Sequence, residues 1–213
     1  MKGLMIKDFI AIAANGRTLI FIVAIFMAMA MISGEVGVMS SALTAMIAVL
    51  GVNTFSYDEI SHWDEFVVAL PVKRSRIVLA RYAVFLITCV GGVLLSFGLS
   101  CIVLFVTTME TGGFLQAASQ TALSSGSSMV AVMALFSLMI PMIYKYGVQK
   151  MRILSMMIII IPIGILVVMQ NFQIPLPSGG AMVPLLKVLP FAAIGCFVVS
   201  YFVSVRIFAK KEF

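Results

Sequence analysis

Ionisable chemistry is scarce in this chain. Eight Asp/Glu and one His stand among 213 residues, and charged residues make up 10% of the total. A soluble domain carries about a quarter, so an ordinary water-soluble fold is excluded. His62 has no second His or Cys close to it, which argues for a solvated or interface side chain over a metal ligand. No glycine-rich loop ends in Lys-Ser/Thr, so the chain has no phosphate-binding loop of its own. No serine stands in a nucleophile elbow, and no glutamate pair or His-containing motif marks an intramembrane protease. The expected apolar runs hold no Asp or Glu, which counts against a self-powered, ion-coupled carrier. Cys89, Cys101 and Cys196 all lie inside apolar runs and read as small packing residues, neither a disulfide set nor a metal site. No cleavable signal peptide, internal repeat or low-complexity linker is evident. These absences predict a chain that is no enzyme and that binds no cofactor.

What remains is lipid-coloured: 62% of residues are hydrophobic. The runs predict an all-α integral membrane protein, a single domain over 1–213, with six spans at about 18–34, 36–55, 82–108, 121–144, 153–170 and 185–208. Residues 1–16 set Leu4, Met5, Phe9 and Ile12 among Lys2, Lys7 and Asp8, a spacing that suits an interfacial amphipathic helix stopped at Asn15-Gly16. Gly34-Glu35 is so short a link that the first two spans must form a hairpin. The segment 171–184 is broken by Pro175, Pro177, Gly179, Gly180 and Pro184, and suits either a re-entrant piece or a plain loop.

The net charge of +6 would point to nucleic acid in a soluble protein. Here the basic residues sit in short loops, which makes them a topology signal. With the N-terminus inside, every Lys and Arg except Lys187 falls on the inner side, while Glu35 and Glu110 fall outside. Both ends are therefore expected in the cytoplasm, and no nucleic-acid partner is expected. Hydroxyls within the spans (Ser40, Ser41, Thr44, Ser96, Ser100, Ser124, Ser125, Ser127, Ser128) suit close helix packing or a substrate lining. Those on the second and third spans are also candidates for contact with a second copy. The seventeen Met residues read as membrane filling rather than an adaptable binding surface.

One long polar stretch interrupts this pattern, from Ser56 to Arg81. It holds four of the eight acids, four of the fourteen Lys/Arg residues, and the only His and Trp. Ser56-Tyr57-Asp58-Glu59 has the form of a capping box opening a new helix. On a wheel, Ile60, Trp63, Phe66, Val67 and Leu70 share one arc, and Asp58, Ser61, His62 and Glu65 the other. Pro71 would end that helix. The expectation is a short amphipathic helix on the cytoplasmic face whose acidic side meets a soluble partner.

The stretch resembles the first cytoplasmic loop of small bacterial type-2 ABC exporter permeases. The matching positions are Asp58-Glu59, Trp63-Asp64, Leu70-Pro71-Val72, Arg74 and Ile77-Val78, with Arg81-Tyr82 where that family often shows Lys-Tyr. Lys7-Asp8-Phe9 is similar to the family's N-terminal elbow helix. The resemblance implies a permease subunit of an ATP-driven exporter in the bacterial cell membrane. Its relatives move antimicrobial or cytolytic peptides or drugs. It implies two permease chains, here expected as a homodimer, and two copies of a separately encoded ATPase that binds the ATP and Mg. It also implies a coupling helix that docks the ATPase, which assigns that role to Tyr57, Asp58, Glu59, Ser61, His62, Trp63, Asp64, Glu65 and Arg74. A non-transporting scaffold that binds a soluble partner, and a passive channel, are the alternative readings of the residues.

Overall fold

The computed structural model describes residues 2–61, 63–68, 73–108, 113–151 and 179–210. Its elements are all helical: α1 (Lys2–Ala14), α2 (Gly16–Ser33), α3 (Val36–Ile60), α4 (Trp63–Val68), α5 (Arg74–Thr108), α6 (Phe114–Tyr146) and α7 (Gly179–Lys210). Five of them, α2, α3, α5, α6 and the Val188–Lys210 part of α7, are long and apolar enough to cross a membrane. The expected span at 153–170 lies outside the described residues. The chain packs as two compact units, Met1–Met133 and Ala134–Phe213.

In the first unit α3 is the axis. Its buried positions are Val36, Ser40, Leu43, Thr44, Ile47, Ala48, Gly51, Thr54, Phe55 and Asp58. Steps of three and four residues keep this stripe on one face along the whole helix. Its most extensive packing is against α5. Gly51 permits that approach, since a Cβ there would lie 3.2 Å from the Thr88 hydroxyl oxygen. Nearby, the Thr44 and Ser96 hydroxyls form a buried hydrogen bond of 2.6 Å. Ser124 and Ser128 on α6 donate to the backbone carbonyls of Gly37 and Ser41 at 3.0 and 2.8 Å. These hydroxyls are used within one chain, in line with the packing reading, and Thr44 and Ser96 are fully buried in it.

The expected hairpin is present: Gly34 takes a left-handed conformation (φ 73°) and closes α2 onto the Ala30 carbonyl. Helix α2 lies at the periphery, with Ile20, Phe21, Ile25, Met31 and Ile32 exposed. That exposure is the ordinary state of a lipid-facing helix.

Four boundaries differ from the sequence expectations, the first being α6, which begins at Phe114 where a start near 121 was expected. Helix α3 runs unbroken through Ser56 to Ile60, so Ser56 lies within the helix and caps nothing; no breaker stands between Gly51 and Ile60 to stop it. Helix α5 begins at Arg74, earlier than the apolar run, because a membrane helix extends into its polar margin. Helix α7 begins at Gly179 despite Pro184, whose missing N–H forfeits only a bond to the first helical turn.

Candidate functional site

The polar stretch becomes three pieces in the fold: the last turn of α3, the short α4, and the first two turns of α5. At about 1.5 Å per residue, the 25 residues of α3 exceed the roughly 30 Å hydrocarbon core, so its final turn emerges from the apolar zone. That turn carries Asp58 on the buried stripe, in register with Gly51, Thr54 and Phe55.

Asp58 is 7% exposed and meets charges from two other helices. Lys7 of α1 donates to its Oδ1, and Arg81 of α5 pairs with its Oδ2 through Nη2. Arg81 also reaches across to α1, donating from Nη1 to Asp8 Oδ1 at 2.9 Å. Lys7 lies 3.2 Å from the same oxygen. Two carboxylates and two cations thus form a neutral quartet, three members of which are nearly solvent-free. Moving such ions out of water costs several kcal/mol each, and only close, satisfied geometry offsets that. The remaining shell is in place: Thr54 Oγ1 accepts from Arg81 Nη1 at 3.2 Å while donating to the Gly51 carbonyl at 2.9 Å. The Phe55 ring lies 5.1 Å from the guanidinium.

The quartet turns α1 inside out relative to a soluble helix. Asp8 faces inward, while Ile6, Phe9 and Ile10 are exposed, as a helix bedded in a lipid face requires. A second tie joins the far end of α1 to the end of α3: Asn15 Nδ2 donates to the Tyr57 hydroxyl at 2.9 Å. The coupling segment is bound in as well, because Lys7 Nζ lies 4.5 Å from the centroid of the Trp63 ring of α4. Trp63 in turn packs against Phe66 with centroids 5.3 Å apart.

Of the nine expected docking residues, Glu59 and Ser61 are exposed, Tyr57 is exposed but tied to Asn15, and Trp63 and Arg74 are half-buried. His62 and the side chains of Asp64 and Glu65 lie outside the described residues, as do Leu70 and Pro71. Asp58 is a correction: it lies inward, where an exposed polar arc was expected. It also places an acid on a helix continuous with the second span. The apolar arc is likewise redrawn. Val67 is fully buried, but Ile60 and Phe66 are 75% and 57% exposed. One wheel does not describe the segment, because the register breaks at Ser61, which closes α3 onto the Tyr57 carbonyl before α4 starts.

Sequence reasoning missed Lys7 and Arg81 as partners of Asp58, and Asp8 as a partner of Arg81. A signal was present, since Arg81 interrupts the run Ile77 to Phe85 and a cation there demands a counter-charge. Chemically the quartet is a clamp. Its carboxylates are already matched by cations, and among the described residues no group of three or more His, Cys, Asp or Glu is arranged to hold a metal.

Comparison with known proteins gives one match. The family model described as ABC-2 family transporter protein covers residues 3–209. Neither curated proteins nor solved structures yield a match.

Proposed function

This chain belongs to the ABC-2 transporter family, and on that premise we propose that it forms the export path of a pump driven by a separate cytoplasmic ATPase, coupled through the segment between α3 and α5. It is a multi-pass membrane protein and a permease subunit of an ABC transporter. The finer reading is that two copies of the chain meet two ATPase subunits, which carry the ATP and Mg. Amphipathic peptides or hydrophobic compounds are the proposed cargo. The proposed location is the bacterial cell membrane with both chain ends in the cytoplasm, as the distribution of Lys and Arg supports. Labelling of a cysteine placed at Arg76 from outside intact cells would overturn that orientation.

The observation that carries the coupling reading is the clamp itself. A lever must be stiff where it joins what it moves. Helix α3 is continuous from Val36 to Ile60 and α5 from Arg74 to Thr108. Lys7, Asp8, Asp58 and Arg81 lock both to α1 beside the connecting segment. A push on α4 is therefore passed to two spans together. In this arrangement Asp58 transmits, and the docking contact falls to Tyr57, Glu59, Ser61, His62, Trp63, Asp64, Glu65 and Arg74.

Charge reversal at the exposed Glu59 tests the assignment. Exposed charges contribute about 0–1 kcal/mol to stability, whereas loss of a charge partner at a buried interface costs roughly 2–5 kcal/mol of binding. The expected result is unchanged thermal unfolding with loss of ATPase co-purification and of transport in reconstituted vesicles. Full ATPase retention with full transport would place the docking surface elsewhere.

A further inference from the structure

The second unit contains a groove of about 770 Å³ between the C-terminal part of α6 and α7. Leu138, Met142, Val199 and Val203 form its apolar walls, Gly195 widens its floor, and Lys145 lies at its α6 end. The two helices come together at that end, where the Tyr144 and Phe208 rings meet edge to face at 5.3 Å. The volume lies in the range that takes a small amphiphile. Its walls are open, with Leu138 and Val199 61% and 62% exposed.

Charge decides what such a groove takes. Residues 134–213 contain seven Lys/Arg (145, 150, 152, 187, 206, 210 and 211) against one acid, Glu212. Residues 1–133 contain seven of each sign, so the whole excess of +6 belongs to the second unit. Among the described residues, Lys145 has no carboxylate partner; its Nζ rests 5.0 Å from the Tyr146 ring centroid. Lys150, Arg206 and Lys210 lie at the same helix ends. An apolar trough with Lys145 at one end, in a unit whose sequence carries an excess of cations, is complementary to a long apolar chain with an anionic head.

We propose that this groove is a binding site for an anionic phospholipid, with an acyl chain along Leu138, Met142, Val199 and Val203 and the phosphate at Lys145. The site does not depend on the export reading. Its test uses the purified full chain in nanodiscs of equal phosphatidylglycerol and phosphatidylcholine, with lipids that remain bound read by native mass spectrometry. Phosphatidylglycerol is retained preferentially. Lys145→Gln lowers the phosphatidylglycerol-to-phosphatidylcholine ratio about fivefold, the worth of one interfacial cation on an anionic lipid, and Lys145→Arg keeps it. Gly195→Phe fills the groove and reduces retention of both lipids; a Cβ at Gly195 meets nothing within 4 Å, so the added ring has room to enter. A ratio that is unity, or unmoved by Lys145→Gln, overturns the proposal in favour of unselective annular lipid. Displacement of bound lipid by millimolar glycerol phosphate overturns it in favour of a free-anion site. Unchanged retention in Gly195→Phe places the lipid outside the groove.

Discussion

The two units carry the same number of cations and use them in opposite ways. In the first, seven Lys/Arg face seven acids, and the best-buried of them, Arg81, is held by Asp8, Asp58 and Thr54. In the second, seven face one, and Lys145 rests on an aromatic ring. In the first unit Lys7, Asp8, Asp58 and Arg81 are internal structure, stitching three helices together. In the second, cations outnumber acids in the sequence, and Lys145 has no carboxylate partner among the described residues. A single net charge for the chain conceals this division.

The comparison breaks most visibly at Arg81. Its replacement by Ala leaves two nearly buried carboxylates with one half-buried cation, and uncompensated buried charge costs about 3–5 kcal/mol. Thermal unfolding in detergent should show a large loss of stability. A change under about 1 kcal/mol would mean that water reaches the quartet freely.

A smaller effect is expected from Gly51→Val, which keeps every charge and disturbs only the close approach of α3 to α5. The Thr88 hydroxyl oxygen stands only 3.2 Å from where the new Cβ would sit, so overpacking should cost about 1–3 kcal/mol. A neutral result in the same unfolding measurement would show that the charges, and not helix contact, fix the distance between these two spans.

The smallest effect belongs to the second unit. Lys145→Gln and Arg206→Gln, separately or together, should alter stability by no more than about 0.5 kcal/mol, as substitutions away from buried networks do. A loss comparable to that at Arg81 would erase the distinction between the units.

Much of the fold was legible because apolar run length reports directly on what can cross a bilayer. The hairpin at Gly34 was legible because two residues between spans leave no other path. The site was legible as a place but not as a geometry. Ser56 to Glu59 has the letters of a capping box, yet a cap needs non-helical backbone at its first residue, and the helix arriving from Val36 supplies none. Extending the stripe Thr44, Ile47, Gly51, Thr54 by one more turn brings Asp58 inward. Local pattern and helix continuity thus compete for the same residue, and continuity wins because each added residue gains a backbone bond without a new nucleus. Asp8 was hidden for another reason: its partner Arg81 lies 73 positions away, and composition gives no pairing between them.

The central claim is that Asp8 and Arg81 act as one structural element that welds α1 to the α3–α5 pair. A double-mutant cycle with Asp8→Asn and Arg81→Met, read by thermal unfolding of the full chain, tests it most directly. The double variant still holds a balanced pair, Lys7 with Asp58, so it should lose less stability than the two single variants summed, by about 1–3 kcal/mol. Additivity within about 0.5 kcal/mol would contradict the account, because the two charges would then be neighbours without being partners.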